Sequence, residues 1–295
     1  MACASLTVHG GCFLPNGLIL ALRRALTSNK RSGYKNMQHI LSLSYGKDSM
    51  ACLEAIKRLG WPLDRVIAMD VWATKDVPAD YPGVADFKKH ADHEIKKRYG
   101  IKVEHACKLK SDGSGEKLTF EDKFYTVSKG SGKMYGFPRN KYNYCKELKV
   151  GCCKDYLGGL GSETYIGFAA DEKERAKKIK KETGTFKFPL IEIGWTESDC
   201  MEWCRENELL SPTYSFSRRD GCWFCPYQTI DQLRILRNRY PKLWGKLLEW
   251  NANWDGYFSG GHTVQEYDRR FEMEEKGLVP ADRTFRWKML EGGTL

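Results

Sequence analysis

His39-Ile40-Leu41-Ser42-Leu43-Ser44-Tyr45-Gly46-Lys47-Asp48-Ser49 sets a short apolar run directly against a serine-rich turn that holds one glycine and one lysine. Beyond it, Ser49 to Leu59 reads as a helix, with Met50, Leu53, Ile56 and Lys57 at helical spacing. A strand entering a helix through a glycine turn is the opening unit of a parallel α/β sheet. At such a turn the free amides and the positive end of the helix dipole attract an anion, and Gly46 lets the backbone come close to a phosphate. Lys47 adds a full positive charge, while Ser42, Ser44 and Ser49 add hydroxyl donors. The spacing matches neither the Walker loop nor Gly-x-Gly-x-x-Gly. An ordinary strand-to-helix turn capped by Asp48 is the alternative.

Working outward, Arg65 to Asp70 is a second apolar strand, Ala85 to Tyr99 a charged amphipathic helix, and Ile101 to His105 a third strand. Further strands are expected at Thr164 to Ala169 and Pro189 to Ile193, with helices at Lys146 to Leu157, Glu172 to Glu182 and Thr196 to Glu206. The fold class is therefore α/β, a five-stranded parallel sheet with helices on both faces, followed by a helical, cysteine-bearing C-terminal segment. Three regions follow: an extension of doubtful structure at 1–36, expected to be dispensable; a nucleotide-binding domain at 37–215; and a Cys-x-x-Cys loop with an aromatic helical tail at 216–295. Residues 108–140, centred on Ser128-Lys129-Gly130-Ser131-Gly132-Lys133, look like a mobile insertion rather than core. In the tail, Leu243, Leu247, Trp250 and Trp254 fall on one helical face and are expected to pack in the core.

Composition narrows the class. The chain has 295 residues, 41% hydrophobic and 29% charged, which suits a globular protein with a real core and excludes a disordered or collagenous chain. No apolar run approaches the roughly 20 residues that cross a bilayer. The one short apolar patch near the start, Leu18 to Leu22, is followed by Arg23 and Arg24, whereas a secretory signal places its charges first. A cytoplasmic protein with no membrane association is expected. The net charge of +10 and the run Lys173, Arg175, Lys177, Lys178, Lys180 and Lys181 suit a polyanion such as tRNA or DNA, but interspersed Glu172, Glu174 and Glu182 equally suit a solvated helix face.

Eleven cysteines in a reducing compartment point to metal or chemistry rather than to a disulfide framework. Cys222-Trp223-Phe224-Cys225 places two thiols on one turn, suitable for zinc, an iron–sulfur cluster or a redox disulfide, or for a buried structural pair. Cys145 lies 77 positions upstream. Cys200 and Cys204, four apart on a helix beside Trp203, are expected to be buried, and Cys52 and Cys107 to be core.

Ser44-Tyr45-Gly46-Lys47-Asp48-Ser49 resembles the Ser-Gly-Gly-Lys-Asp-Ser signature of the PP-loop ATP pyrophosphatase superfamily, with Tyr45 in place of the first glycine. Pro189 to Asp199, Arg205 to Leu209, Tyr214 and Gly221-Cys222-x-x-Cys225 resemble the second half of the PAPS/APS reductase family, the likeness covering roughly residues 37 to 230. This resemblance implies ATP with Mg2+, or an adenylyl nucleotide, bound at Ser42, Ser44, Tyr45, Gly46, Lys47, Asp48 and Ser49, with Asp70 and Gly167 beside it. Lys47 and Asp48 would be catalytic, Lys47 stabilising the pyrophosphate leaving group. The iron–sulfur branch of the family implies a 4Fe-4S cluster, with zinc as the other occupant, on Cys145, Cys222 and Cys225. Tyr144 replaces the family's remaining cysteine. On a helix, Cys152 would lie about 10 Å along the axis from Cys145, so three ligands and one open position are expected.

The resemblance fails at two points. No cysteine follows Cys225, so the family's C-terminal nucleophile is missing, and Gly167 is followed by Phe168-Ala169-Ala170 instead of arginines. The function implied is therefore adenylation of an acceptor coupled to iron–sulfur-assisted sulfur transfer, with a thiol or sulfur donor protein as partner and a homodimer as a possible assembly. The rivals are a sulfonucleotide reductase using Cys152 or Cys153, and a nucleotide-binding regulatory protein in which Tyr45 crowds the phosphates.

Overall fold

The first strand owes its two faces to simple alternation. In β1 (Gln38–Leu43) Leu41 and Leu43 are buried on one side and Ile40 on the other. The computed structural model describes residues 37–138, 144–151, 156, 161–179 and 185–291. With β2 (Arg65–Met69), β3 (Val103–Ala106), β4 (Ser162–Tyr165) and β5 (Thr185–Lys187), it forms a five-stranded sheet in the order β3-β2-β1-β4-β5. Every pairing is parallel; Leu41, for example, stands opposite Val66 on β2 and Tyr165 on β4.

One face is covered by α1 (Lys47–Leu59), α2 (Val84–Tyr99), α5 (Pro189–Glu192) and α6 (Glu197–Glu206). Met50, Leu53 and Ile56 of α1 meet Leu41, Leu43 and Val66 there, and Cys52, Cys200 and Cys204 are fully buried among them. These three thiols are core, as the sequence suggested. On the opposite face Ile40 and Ile67 are buried with Met69 against them. Thr196 and Asp199 form a reciprocal capping box that starts α6.

A second core joins the tail to the middle of the chain. Its helices are α7 (Ile230–Arg239), α8 (Pro241–Ala252) and α9 (Val264–Glu275). Leu247 and Trp250 are fully buried there, with Leu243 and Trp254 packed partly buried against them, so the apolar stripe does face the core. Gln38–Leu295 is accordingly one compact unit.

Three expectations need correction. Phe120, Phe124 and Phe137, inside the supposed mobile insertion, are fully buried against Trp250 and Phe224. The glycine- and lysine-rich composition of that segment belongs to its exposed tips, while Thr119 and Asp122 cap a short helix, α3 (Phe120–Phe124), that carries the aromatics inward. The fifth strand is not Pro189 to Ile193: proline occupies the first turn of α5, and the strand precedes it at Thr185–Lys187. Among the described residues the Lys-rich stretch is a 3-10 turn at Ala170–Glu172 and the single turn α4 (Lys173–Ala176), its charges paired locally as Arg175 with Glu172 and Lys177 with Glu174. Residues 1–36, 152–155 and 180–184, with Cys152, Cys153, Lys180 and Lys181, lie outside the described residues. Among the described residues no helix is long and apolar enough to cross a membrane.

Candidate nucleotide site and thiol cluster

In the strand order β3-β2-β1-β4-β5 successive strands are added to one side of β1 up to β3 and to its other side from β4 onward, which makes β1/β4 the switch point. The carboxyl ends of those two strands therefore bound the crevice where open α/β sheets place ligands. The turn Ser44–Gly46 leaves β1 there, and α1 begins at Lys47 with Gly46 as an N-cap that contributes no side-chain bond. Gly46 thus offers the first amides of α1 no side-chain acceptor, and the Lys47 amide donates instead to the Tyr214 hydroxyl at 3.1 Å. Ser49 Oγ accepts from the Ser44 amide at 3.1 Å and donates to the Gly46 carbonyl at 3.0 Å, which closes the turn on itself. Ser42 is half-buried at the end of β1.

Gly167, two residues beyond β4, rests directly on the start of α1. A Cβ there would stand 2.7 Å from the Ser49 nitrogen and 2.8 Å from the Asp48 carbonyl carbon. Only glycine allows the two strand exits to approach this closely. The sequence-derived members Ser44, Gly46, Lys47, Asp48, Ser49 and Gly167 are thus brought together.

Lys47 is buried and held by carboxylates. Its Nζ lies 2.8 Å from Asp48 Oδ1 and 2.9 Å from Glu197 Oε2. Burial works against its charge, but the hydrogen bonds to Asp48 and Glu197 outweigh it and raise the pKa, so the lysine is a fixed cation. Burial likewise raises the Asp48 carboxyl, against the pull of Lys47. Glu197, absent from the sequence-derived set, enters because it is the first residue of α6, which starts beside the loop.

Tyr45 does not project its side chain out of the turn. Its backbone is left-handed at φ 58°, and its side chain turns down into the protein, 2% exposed. The hydroxyl donates to Asp92 Oδ1 at 2.5 Å and lies 3.2 Å from His105 Nε2. A non-glycine residue in this conformation costs about 1–2 kcal/mol.

His105 links this anchor to Asp70. Its Nδ1 is 2.9 Å from Asp70 Oδ2 and its Nε2 is 3.0 Å from Asp92 Oδ2. Hydrogen bonding to Asp70, then to Asp92, pushes the imidazole from 6.5 to about 9, so at neutral pH it donates from both nitrogens. Burial would raise Asp70, but His105 and Lys88 together hold its carboxyl below the usual range. Asp70, Asp80, Lys88, Asp92 and His105 form the polar side of a cavity of about 470 Å³ whose apolar wall includes Trp72, Tyr81 and Leu243.

A pH dependence follows. A histidine more basic in the folded than in the unfolded state contributes fully below about 6.5, and the contribution disappears as pH rises toward about 9. The side chain is one-third exposed, so after solvent screening the loss is expected to be about 1–2 kcal/mol. Urea denaturation from pH 6.5 to 9 should show this decline in the wild type and a much flatter profile in His105→Gln.

The Cys222–Cys225 turn is anchored by its two central residues. Trp223 and Phe224 are buried, the Trp223 indole donates to the Pro78 carbonyl at 2.9 Å, and the Cys225 amide donates to the Cys222 carbonyl at 3.1 Å. Both thiols remain half-buried on the turn. Burial pushes Cys222 up to about 11, with Lys149 acting in the opposite direction and the charges of Asp80, Cys225 and Cys145 adding to the rise. Cys145 is also raised by burial, lowered by Lys149 and raised by Cys225. Three thiols therefore share one electrostatic neighbourhood around Lys149, a residue the sequence gave no reason to select. The donor chemistry suits zinc or an iron–sulfur cluster. Their spacing does not close a ligand set: among the described residues no three His, Cys, Asp or Glu side chains form a group that could hold a metal ion.

No family model matches the chain. It is 24% identical to an uncharacterized protein of Methanocaldococcus jannaschii over 273 residues, which cover 84% of this chain and 45% of the relative, so the chain spans less than half that protein's length. Among solved structures it is similar to the U34-tRNA thiolase NcsA from Methanococcus maripaludis, solved with its 4Fe-4S cluster, at a TM-score of 0.37 and 15% identity over 94% of this chain and 89% of that one.

Proposed function

We propose that the chain is a PP-loop enzyme that binds an adenine nucleotide with Mg2+ at Ser42–Ser49, adenylates an oxygen of an acceptor and couples that step to sulfur transfer. The observation that carries the proposal is the phosphate loop at the sheet's switch point: a helix N-terminus whose N-cap Gly46 makes no side-chain bond, a buried fixed cation at Lys47, and Gly167 packed against the start of the same helix. In-line attack at the α-phosphate develops charge on the phosphate oxygens, which the loop amides and Lys47 would stabilise. Asp48 and Glu197 hold Lys47 in place until the phosphates compete for it.

Cys145, Cys222 and Cys225 would hold a 4Fe-4S cluster, or zinc in its place, once the three thiols are drawn together. A bound cluster would supply an iron able to carry or activate sulfur. Lys149 favours the thiolate forms needed for either occupant. The acceptor is proposed to be a nucleic acid such as tRNA or DNA; a thiol or sulfur donor protein, a homodimer and a cytoplasmic setting belong to the same proposal.

The test is anaerobic purification followed by ATP turnover. The proposal expects a brown protein containing iron and sulfide that converts ATP to AMP and pyrophosphate when supplied with acceptor RNA. Colourless protein with stoichiometric zinc removes the cluster, and sulfite release from adenylyl sulfate without ATP turnover replaces the proposal with sulfonucleotide reduction.

A further inference from the structure

Among the described residues only Tyr45 and Glu208 have positive φ without being glycine. Glu208 follows the end of α6, but Tyr45 lies in the middle of the phosphate loop. The Ser44–Ser49 and Ser49–Gly46 bonds close the turn on either side of it.

The restraint comes from elements outside the loop. Asp92 on α2 accepts the Tyr45 hydroxyl bond, and His105 on β3 lies against the same oxygen. Phe87 meets the ring edge-on at 6.5 Å, and Lys88 Nζ lies 5.2 Å from its centre. Lys88 is itself fixed between Asp70 at 3.0 Å and Asp80 at 2.6 Å. Three carboxylates thus face two cations, and every member of the network is partnered. The ring cannot leave this socket without breaking bonds to two secondary-structure elements, so the backbone that carries it cannot relax to an extended or right-handed conformation.

We infer that Tyr45 is a positioning residue, gripped by Asp92 and His105 so that the phosphate loop is held in the left-handed turn from which Gly46 and the first amides of α1 face an anion. In this chain a buried side-chain anchor does the work that a glycine's conformational freedom would otherwise do. The inference rests on the proposed nucleotide site, and it ties that site's geometry to α2 and β3.

The experiment uses the full chain and Mg-ATP, with affinity measured calorimetrically. Asp92→Ala frees the hydroxyl and is expected to weaken binding about tenfold, the scale of the backbone strain it releases. Adding Tyr45→Gly in the same background should regain most of that loss, because glycine adopts the positive φ without an anchor. An unchanged affinity in Asp92→Ala overturns the inference, as does a double variant as weak as the single one. Hydrogen exchange in the absence of nucleotide decides the matter independently: amides of Gly46 to Ser49 should exchange faster in Asp92→Ala, and equal rates refute the anchor. Wild-type protein that fails to bind ATP removes the proposed function while leaving the exchange result to judge Tyr45.

Discussion

Lys47→Met is expected to lower pyrophosphate release from ATP by a factor of about 10²–10³, the usual cost of removing one preorganised charge from a developing oxyanion. The loss should fall on kcat more than on KM, because the loop amides still bind phosphate in the ground state. Structure and activity separate cleanly here. Deleting the cation leaves Asp48 partly buried without its 2.8 Å partner, and Glu197 half exposed without its own. The resulting destabilisation should be about 1–2 kcal/mol, discounted for the exposure of both carboxylates. Lys47→Arg keeps the charge and should recover stability without full turnover, since a planar guanidinium cannot take the place of a compact ammonium in this pocket. Single-turnover measurements with labelled ATP alongside thermal unfolding check both arms; turnover within about threefold of wild type would show that the lysine is structural only.

Gly167→Ala should be nearly as damaging by a different route. The new methyl meets the Ser49 nitrogen at 2.7 Å and the Asp48 carbonyl oxygen at 2.9 Å. These are backbone atoms, so no rotamer change relieves the contact and either α1 or the exit of β4 must shift. A cost of about 2–4 kcal/mol is expected, together with a loss of nucleotide affinity exceeding tenfold as the loop is displaced. The control is Gly245→Ala. Gly245 lies within α8 with open space around it, so alanine there should stabilise by about 0.5–1 kcal/mol. Equal stability of Gly167→Ala and wild type in denaturant titration would refute the close approach.

The sheet was legible because its strands are short apolar runs closed by turn residues, and β1, β2 and β3 fall where those runs do. Beyond β3 the signals compete. Pro189 opens a run of apolar residues that looks like a strand, yet proline suits the first turn of a helix and the ladder ends before it at Lys187. The composition of the segment around Phe120 misleads because exposed Gly and Lys at the tips dominate it, while three phenylalanines spaced along it fill the second core. At the site, residues close in sequence were found readily. Asp92, His105 and Glu197 are not, since each reaches its partner only across the fold: 47 positions separate Tyr45 from Asp92, and 150 separate Lys47 from Glu197. Tyr45 is the instructive case. In place of a signature glycine it suggests obstruction, whereas the backbone is left-handed at φ 58° and the ring is buried.

The Cys222–Cys225 turn has an optical consequence. Trp223, between the two thiols, stacks on Trp250 with ring centres 5.4 Å apart and planes 11° from parallel. Two indoles so close and so aligned couple electronically, and their near-ultraviolet circular dichroism depends on the geometry of the pair. Any ion or cluster that drew Cys222 and Cys225 together would pull on Trp223 and Phe224 between them. The stacked pair is thus a built-in spectroscopic gauge of occupancy at the thiols, readable in the unlabelled protein during a metal titration.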